Sequence, residues 1–399
     1  MKKTLAAVAV LGAFAGSALA ADVTLYGKID AGLNYTHVSE DGAASTDDFA
    51  MKSGQNSGSR FGLKGSEQIS EGLTVGFQVE NGFSVDDGKM TQGGRLFGRQ
   101  ATVYAKTDFG EVAFGRMGGL DSGLGSYDLV ADAGVFGTGW GDYTGTMSNF
   151  FLGKSDRYDN MITYKSPEFA GLTLVAQASL GKDTSSNSEE GGHLADRYYA
   201  LGLGADYGAL TGALTVSMQD YAGLKGRMAD NLGNAAIKDV ANDDDGYAVT
   251  AFGAYDFGVT KVSLGAQYFD NVAQVRGSKT GTWVEVGDGE VDRKYGDVET
   301  GLTGFGVMLG AVTPIAGGSL YTQVGYADYE QSKVIKEVND KADYKVYGVG
   351  VGYQYPLSKR TYVYTAASYT KSTENDGVPS SKDVDTDVTE VMMGLVHNF

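Results

Sequence analysis

The last nine residues of the chain, 391–399, alternate between two faces. Every second residue counted back from the C-terminus belongs to a mostly apolar set: Phe399, His397, Leu395, Met393 and Val391. The other face carries Asn398, Val396, Gly394 and Met392, and Glu390 continues it towards the N-terminus. A two-residue period is that of a β-strand, whose successive side chains point to opposite sides of the sheet. The sequence therefore predicts a strand that runs to the last residue and has one apolar face.

The same alternation recurs far from the C-terminus. Near the start, one face carries Val23, Leu25, Ile29 and Leu33, and the other carries Thr24, Tyr26, Lys28, Asp30 and Asn34. Beyond residue 20, no segment approaches the ~20 consecutive apolar residues that a membrane-spanning helix needs. The mean hydropathy is −0.20. Strands that alternate apolar and polar residues cross membranes as closed barrels, which a hydropathy average does not reveal. We therefore predict an all-β transmembrane antiparallel β-barrel.

The connections between the predicted strands fall into two classes. Seven are short, at 64–73, 107–110, 166–171, 207–211, 256–260, 313–318 and 356–360. Eight are long and polar, near 38–50, 84–93, 117–156, 182–195, 222–245, 271–299, 330–342 and 372–387. Fifteen connections join 16 strands, with short periplasmic turns on one side and long outer loops on the other. An even strand number with this asymmetry is typical of bacterial outer-membrane barrels.

The first 20 residues have the composition of a secretory signal peptide. Lys2 and Lys3 precede an apolar stretch from Leu5 to Ala15, and the small residues of 18–20 form a cleavage site. An N-terminal membrane anchor would need a longer apolar span. We expect cleavage after Ala20, so that 21–399 forms the barrel in the cell outer membrane. Loss of the two lysines leaves 30 basic against 50 acidic side chains, a net charge of −20.

Composition narrows the classes of partner and cofactor. The chain has no cysteine, although an exported protein enters a compartment that permits disulfides. A closed ladder of backbone hydrogen bonds is expected to hold the fold instead. The acidic balance argues against nucleic acid as a partner. The sequence contains no phosphate-binding loop, dinucleotide fingerprint or paired-histidine zinc motif, so we expect neither a cofactor nor a metal.

Short motifs are spread in order over the whole mature chain, at 25–28, 59–65, 98–101, 114–116, 150–153, 166–172, 355–361 and Phe399. Together they resemble the Gram-negative general diffusion porins, especially the neisserial and enterobacterial types. The resemblance implies a homotrimer of 16-stranded channels, in which the third loop, 117–156, folds into the lumen. It implies passive diffusion of small hydrophilic solutes and ions. The terminal Phe399 matches the aromatic residue that directs such barrels to the outer membrane.

Four basic residues occupy positions where a side chain would face the lumen. Lys28 shares the polar face of the first strand, Arg60 lies opposite the apolar Phe61, Arg99 precedes a strand, and Arg157 opens one. A charge facing lipid near mid-membrane costs roughly 2–4 kcal/mol, so the inward direction is expected. In similar porins these positions match the basic wall of the pore constriction, and we assign that role to all four.

The connection 117–156 is too long for an ordinary hairpin loop, so a functional role is expected for it. It carries the acids Asp121, Asp128, Asp132 and Asp142. Carboxylates on this loop that face arginines on the wall would produce a transverse field, which screens solutes by size and charge. The acidic stretch of the enterobacterial porins is absent here, and residues 131–137 stand near its place. We favour Asp128 and Asp132 as the acids of the constriction.

Arg116 differs from the four wall residues because it shares its strand face with Val112 and Phe114. The resemblance implies that it meets an acidic residue from the second loop of a neighbouring subunit. Asp86 and Asp87 are the candidates for that inter-subunit contact.

Acid clusters in the outer loops, such as the one at 383–387, have two interpretations. They are either ordinary solvated charge or a divalent-cation site that bridges phosphates of lipopolysaccharide in the surrounding outer-membrane lipid.

The charges of the channel have opposite effects on ion selectivity. Acidic loops at the two openings of the channel, its mouths, favour cations, whereas the basic wall favours anions at the narrow constriction, or neck. Because the Debye length is near 8 Å at physiological salt, the charges of the mouths are screened from the neck. We expect a weak cation preference in dilute salt and a stronger influence of the neck at high salt.

Three other functions remain open on sequence alone. An enzyme is disfavoured, because His37, His193 and His397 have no serine and acid in a nucleophile arrangement. A surface-binding barrel or adhesin would need a plug in the lumen. A substrate-specific porin for an oligosaccharide or an anion such as phosphate would show a track of aromatic residues, for which Trp140 and Tyr143 are candidates.

Overall fold

The structure is a computed structural model that describes residues 23–145, 147–182, 190–192, 195–221, 245–272, 283–287, 290–294, 301–332, 342–375 and 382–399. The expected signal peptide, 1–20, and His193 lie outside the described residues, as do parts of the long loops after residue 182.

The secondary-structure elements of the described chain are almost all β-strands. The strands are β1 (Thr24–Glu40), β2 (Thr46–Ser53), β3 (Arg60–Ser70), β4 (Leu73–Gly82), β5 (Gln100–Thr107), β6 (Gly110–Gly118), β7 (Arg157–Lys165), β8 (Leu172–Ser179), β9 (Arg197–Tyr207), β10 (Leu210–Asp220), β11 (Gly246–Asp256), β12 (Lys261–Val272), β13 (Trp283–Gly287), β14 (Glu290–Lys294), β15 (Leu302–Ile315), β16 (Gly318–Gln331), β17 (Asp343–Pro356), β18 (Thr361–Asn375) and β19 (Val384–Asn398). The helical pieces in the described ranges are two 3₁₀ turns, Gln92–Gly94 and Ala131–Ala133, and one α-helical turn, Met147–Phe150.

The strands close into an antiparallel barrel. Each wall strand pairs with its neighbour along the chain, and β1 pairs with β19 from Lys28↔Asn398 to Glu40↔Thr386, which joins the two ends of the sheet. The strands β2 and β3 both pair with β1 and together form the second strand of the wall. The hairpin of β13 and β14 forms a separate two-stranded sheet. The wall therefore has 16 strands, and the predicted fold is confirmed.

The two faces of the wall have the predicted composition. In β19, Met393 is 55% exposed on the outer face, whereas the neighbouring Met392 is 1% exposed on the inner face. The apolar residues of β1, such as Leu25 and Ile29, are exposed on the outside, and Asp30 and Asn34 are buried inside. In a closed barrel an outer apolar face meets lipid, which explains why exposed apolar side chains cover the wall.

The first short connection is shorter than the predicted 64–73. The strand β3 continues to Ser70 because Ser66, Glu67 and Gln68 pair with β4. The turn is left with Glu71 and Gly72, and Gly72 adopts a φ of 78°, a conformation that favours glycine. The other six short connections lie where the sequence predicted them.

No helix in the described ranges is both long enough and apolar enough to cross a membrane.

Candidate functional site

The long connection between β6 and β7, residues 119–156, lies inside the barrel; we call it the inner loop. Several of its backbone N–H groups donate to inward-facing side chains of distant strands. Gly153 donates to Gln267 of β12 at 2.8 Å, and Val135 donates to Gln323 of β16 at 2.8 Å. These bonds place the loop against the inner wall, so its predicted inward fold is confirmed.

A buried carboxylate ties both ends of the inner loop to the wall. Asp121 is 1% exposed and accepts a hydrogen bond from Ser155 at the far end of the loop. It also accepts hydroxyl bonds from Tyr198 of β9 at 2.9 Å and Ser217 of β10 at 2.5 Å. Three hydroxyl donors compensate the burial of the acid. Asp121 therefore fixes where the loop enters and leaves the wall.

A second buried carboxylate, Glu390 on β19, holds the middle of the inner loop. Its side chain is 0% exposed and accepts backbone N–H bonds from Asp142 at 3.2 Å, Tyr143 at 3.0 Å and Thr144 at 2.9 Å. The hydroxyl of Thr144 and the amide of Asn34 complete the set, at 3.2 and 2.9 Å. The terminal strand is thus a wall strand that also positions the loop.

Apolar packing fixes the loop where glycines leave room for it. Phe150 is fully buried, and a Cβ atom built on Gly325 of β16 would lie 2.2 Å from its ring. A Cβ atom on Gly306 of β15 would lie 1.7 Å from the Phe150 carbonyl oxygen. Wall glycines at these positions therefore make the close approach of the loop possible.

Trp140 packs the loop against the same part of the wall, on β16 and β18. Its ring centroid lies 4.9 Å from that of Tyr321 on β16 and 5.7 Å from that of Tyr364 on β18, and its side chain is 6% exposed. Phe136 completes the cluster at 5.4 Å. Trp140, one of the two residues considered for a sugar track together with Tyr143, is thus occupied by packing between the loop and the wall.

The four residues of the predicted basic wall come together on one side of the lumen. Lys28 lies opposite Arg60 in the pairing of β1 with β3. Arg60, Arg99 and Arg157 line one recess of about 490 Å³, whose other side is formed by residues 123–126 and 138–139 of the inner loop. We call this recess the neck. It offers a solute three guanidinium groups beside the carboxylate of Glu80, with backbone and hydroxyl groups of the loop on the other side.

Sequence reasoning missed Glu80, the carboxylate of the neck. It accepts a bond from Nε of Arg99 at 2.6 Å, lies 3.7 Å from Nε of Arg60, and accepts the Tyr26 hydroxyl at 3.1 Å. The signal was available, because Glu80 shares the polar face of β4 with Gln78. The sequence left open the register of β4 with β3 and β5, which sets Glu80 opposite Gly62 and Gln100 and so beside Arg60 and Arg99.

The two acids predicted to face the basic wall have other partners. Asp128 accepts backbone N–H bonds from Gly123 at 2.6 Å, Val130 at 3.1 Å and Ala131 at 2.7 Å, and so shapes the loop itself. Burial raises the pKa of Asp128 to about 7, while these three donors act in the opposite direction. Asp132 pairs with Lys261 of β12 at 3.1 Å. The carboxylate that meets the arginines is Glu80, on the wall.

Arg116 has partners within its own chain. It donates hydrogen bonds to the Asp159 carboxylate at 2.6 Å and to the Gly98 carbonyl at 2.7 Å. The same carboxylate also accepts a hydrogen bond from Arg95 at 2.7 Å. In the second loop, the Ser84 hydroxyl donates to Asp86, and Asp87 pairs with Lys89 at 2.8 Å. Contact between Arg116 and either acid of a neighbouring subunit stays a prediction.

The terminal Phe399 is built into the seam of the barrel. Its backbone N–H and carbonyl exchange hydrogen bonds with Gly27 of β1, each at 3.0 Å. A Cβ atom on Gly27 would lie 2.2 Å from the phenyl ring. The aromatic ring therefore covers the junction of the first and last strands, and its targeting role stays a prediction.

Comparison with known proteins gives a consistent result. A sequence model of Gram-negative porins matches residues 6–375. An outer membrane porin protein of Bordetella pertussis is 34% identical over 398 residues, which cover 93% of this chain and 95% of that one. The outer membrane porin protein 32 of Delftia acidovorans is 30% identical, covering 93% and 90%. Among solved structures, an anion-selective porin from Comamonas acidovorans superposes with a TM-score of 0.59 at 24% identity, covering 95% of this chain and 100% of that chain.

Proposed function

The chain belongs to the family of Gram-negative porins and forms an outer-membrane channel, and we propose that this channel is a general porin with a preference for anions at physiological salt. Small hydrophilic solutes and ions diffuse through it passively. The observation that carries the proposal is the neck, where the inner loop narrows the lumen opposite three arginines. We infer no chemical step: the lining residues act through pore width and electric field.

The charges of the neck support the anion preference. The charged side chains that line the neck are those of Arg60, Arg99, Arg157 and Glu80, so that cationic side chains outnumber anionic ones by three to one, and Lys28 lies opposite Arg60 in the strand pairing. Like-charged lumen walls raise the local concentration of counter-ions. The acids of the outer loops act on the mouths, and physiological salt screens them from the neck beyond about 8 Å. In dilute salt the electric field of these acids extends further into the channel, so a weak cation preference is expected under that condition.

The assembly and environment follow from the family resemblance. We propose export by the signal peptide 1–20, with 21–399 as the mature barrel, assembly into a homotrimer, and contact with outer-membrane lipid and lipopolysaccharide. The exposed apolar residues of the outer wall support a lipid-facing surface. Trp140 is taken up in packing, so unspecific diffusion is a better proposal than a sugar-specific track.

Planar-bilayer recording tests the proposal. The refolded mature protein is inserted into a lipid bilayer, and the single-channel current is recorded across a gradient of potassium chloride. Ohmic insertions that close in three equal steps, with a reversal potential of the anion-selective sign, would support every part of it. A cation-selective sign at physiological salt would overturn the anion preference. Block by a sugar or by phosphate at low concentration would replace unspecific diffusion by a specific channel, and well-folded protein without conductance would remove the channel itself.

A further inference from the structure

The second strand of the wall is interrupted in an unusual way. The pairing of β1 with β2 ends at Ala31↔Ser53, and its pairing with β3 begins at Lys28↔Arg60. Two residues of β1 are therefore opposite the six residues 54–59, which we call the inner segment. An ordinary bulge adds one residue to a strand. The additional residues must leave the plane of the wall.

The inner segment projects into the lumen. Gln55 and Asn56 are buried, although the outer face of the wall is exposed. The Tyr362 hydroxyl, on the inward face of β18, donates to Asn56 at 2.8 Å. The Gln55 carbonyl accepts the N–H of Gly141 in the inner loop at 2.8 Å. The segment thus contacts both the inner loop and β18, which is separated from β1 by β19 alone.

Asp30 of β1 holds the inner segment in this position. One carboxyl oxygen accepts the backbone N–H groups of Asn56 at 2.8 Å and Ser57 at 2.9 Å, and the other accepts the Tyr364 hydroxyl at 2.8 Å. Its backbone N–H and carbonyl both bond the Ser59 hydroxyl, at 3.0 and 3.1 Å. Asp30 is 0% exposed, and the donors that meet its carboxylate would lose their acceptor without it.

The inner segment also touches the arginines of the neck. The Gly58 carbonyl accepts a bond from Arg60 at 3.2 Å. A Cβ atom on Gly58 would lie 2.9 Å from a guanidinium nitrogen of Arg99. Residues 54 and 56–58 line the neck recess together with residues 123–126 of the inner loop. The segment and the loop therefore bound the same opening from two sides.

We propose that the inner segment is a second constriction element of this channel, held by Asp30, which is a positioning residue for it. The loop alone does not set the width of the neck. The segment sets the opposite edge and supports the guanidinium groups of Arg60 and Arg99. This inference rests on the proposed channel function and adds a structural determinant of its exclusion limit.

Cysteine labelling tests the position of the segment, because the chain has no native cysteine. Ser57→Cys is compared with the control Ser66→Cys, which makes the same substitution on the inward face of β3. Ser66 lies six residues beyond Arg60, or about 20 Å along the strand at a rise of about 3.3 Å per residue. An anionic methanethiosulfonate reagent is added during single-channel recording, and labelling is verified by mass. We expect a stepwise loss of conductance for Ser57→Cys and a much smaller loss for Ser66→Cys. Equal losses, or an unlabelled Ser57→Cys beside a labelled control, would overturn the proposal. A channel that conducts before labelling keeps the porin function separate from this result.

Substitution of Asp30 tests its positioning role. Asp30→Ala removes the acceptor of both segment N–H groups, whereas Asp30→Asn retains a carbonyl oxygen for them. Both variants lose the same charge, so a difference between their exclusion limits shows whether the hydrogen bonds of residue 30 keep the segment in position. We expect Asp30→Ala to admit larger polyethylene glycols than wild type and Asp30→Asn to restore the wild-type exclusion limit. Identical limits for folded trimers of both variants would remove Asp30 from this role. If Asp30→Ala does not fold, the labelling of Ser57→Cys decides the proposal alone.

Discussion

Replacement of Arg60 by alanine is the most direct perturbation of the neck. Arg60 lines the recess, lies 3.7 Å from Glu80 and faces Lys28 across the seam between β1 and β3. The variant Arg60→Ala removes one of the four cationic side chains and leaves Glu80 paired with Arg99 at 2.6 Å. The neck should become wider and less positive, so selectivity should shift towards cations.

The size of the shift follows from the Coulomb energy of one charge. An ion that passes about 7 Å from a guanidinium in water interacts with it by about 0.6 kcal/mol, and physiological salt reduces this to about 0.3 kcal/mol. Removing the charge makes the neck less favourable for anions and more favourable for cations. The difference between their interaction energies therefore changes by about 0.5 kcal/mol, which is roughly two- to threefold in the permeability ratio. A lower effective dielectric constant beside the protein wall raises this to roughly fivefold.

The assay is the reversal potential in a salt gradient, with two control variants. Arg60→Lys keeps the charge and should keep most of the anion preference. Lys64→Ala removes a cation from the same strand and the same face, four residues from Arg60. Its Nζ lies 5.5 Å from the ring centroid of Tyr26, below the neck. An equal shift in reversal potential for Arg60→Ala and Lys64→Ala would show that a charge affects selectivity equally anywhere in the lumen. No shift for Arg60→Ala would refute the assignment of Arg60 to the neck.

Three further changes have defined outcomes. Glu80→Gln removes the carboxylate of the neck with little change of shape, and should raise the anion-to-cation permeability ratio roughly two- to threefold by the same Coulomb estimate, measured as a reversal potential. Glu390→Ala removes the acceptor of five hydrogen bonds to the inner loop and Asn34. Unpaired buried donors cost about 1–3 kcal/mol each, so the loop should detach and the current should become noisier and larger; a quiet channel of wild-type conductance would contradict this anchor. Gly325→Ala should clash with the Phe150 ring and lower the thermal stability by about 1–3 kcal/mol, as overpacked cores do. The control Gly253→Ala, whose Cβ has no atom within 4 Å, should unfold like wild type, and equal melting temperatures for the two variants would refute the packing argument.

The strand pattern of the wall could be predicted from the sequence because it is a local property. In any strand the side chain of Leu25 must point to the face opposite that of Tyr26 and Lys28, and a lipid-facing side chain must be apolar. The number of connections then gave a strand count of 16, as the structure has it. The inward direction of Lys28 and Arg60 follows from the same alternation, as does the apolar outer face of the terminal strand.

The contacts of the inner loop could not be predicted in this way. Asp128 and Asp132 are loop residues without a periodic pattern, and their partners, the loop backbone and Lys261, depend on the path of the loop. Asp132 and Lys261 are 129 residues apart in sequence. Glu390 was seen only as a residue of the inner face, although it holds the loop from a separation of 246 residues at Thr144.

The order of the amino acids was thus enough to predict the barrel, its strand number and the composition of its two faces. These properties depend on the two-residue period and on the cost of placing polar groups in lipid, which act at every strand separately. The contacts in the lumen came from the folded barrel instead. The register of neighbouring strands brings Glu80 to the arginines and Asp30 to the inner segment, and the closed barrel brings Glu390 to the inner loop. Closure of the sheet brings strands that are distant in sequence around one opening, and no local pattern encodes the contacts made across it.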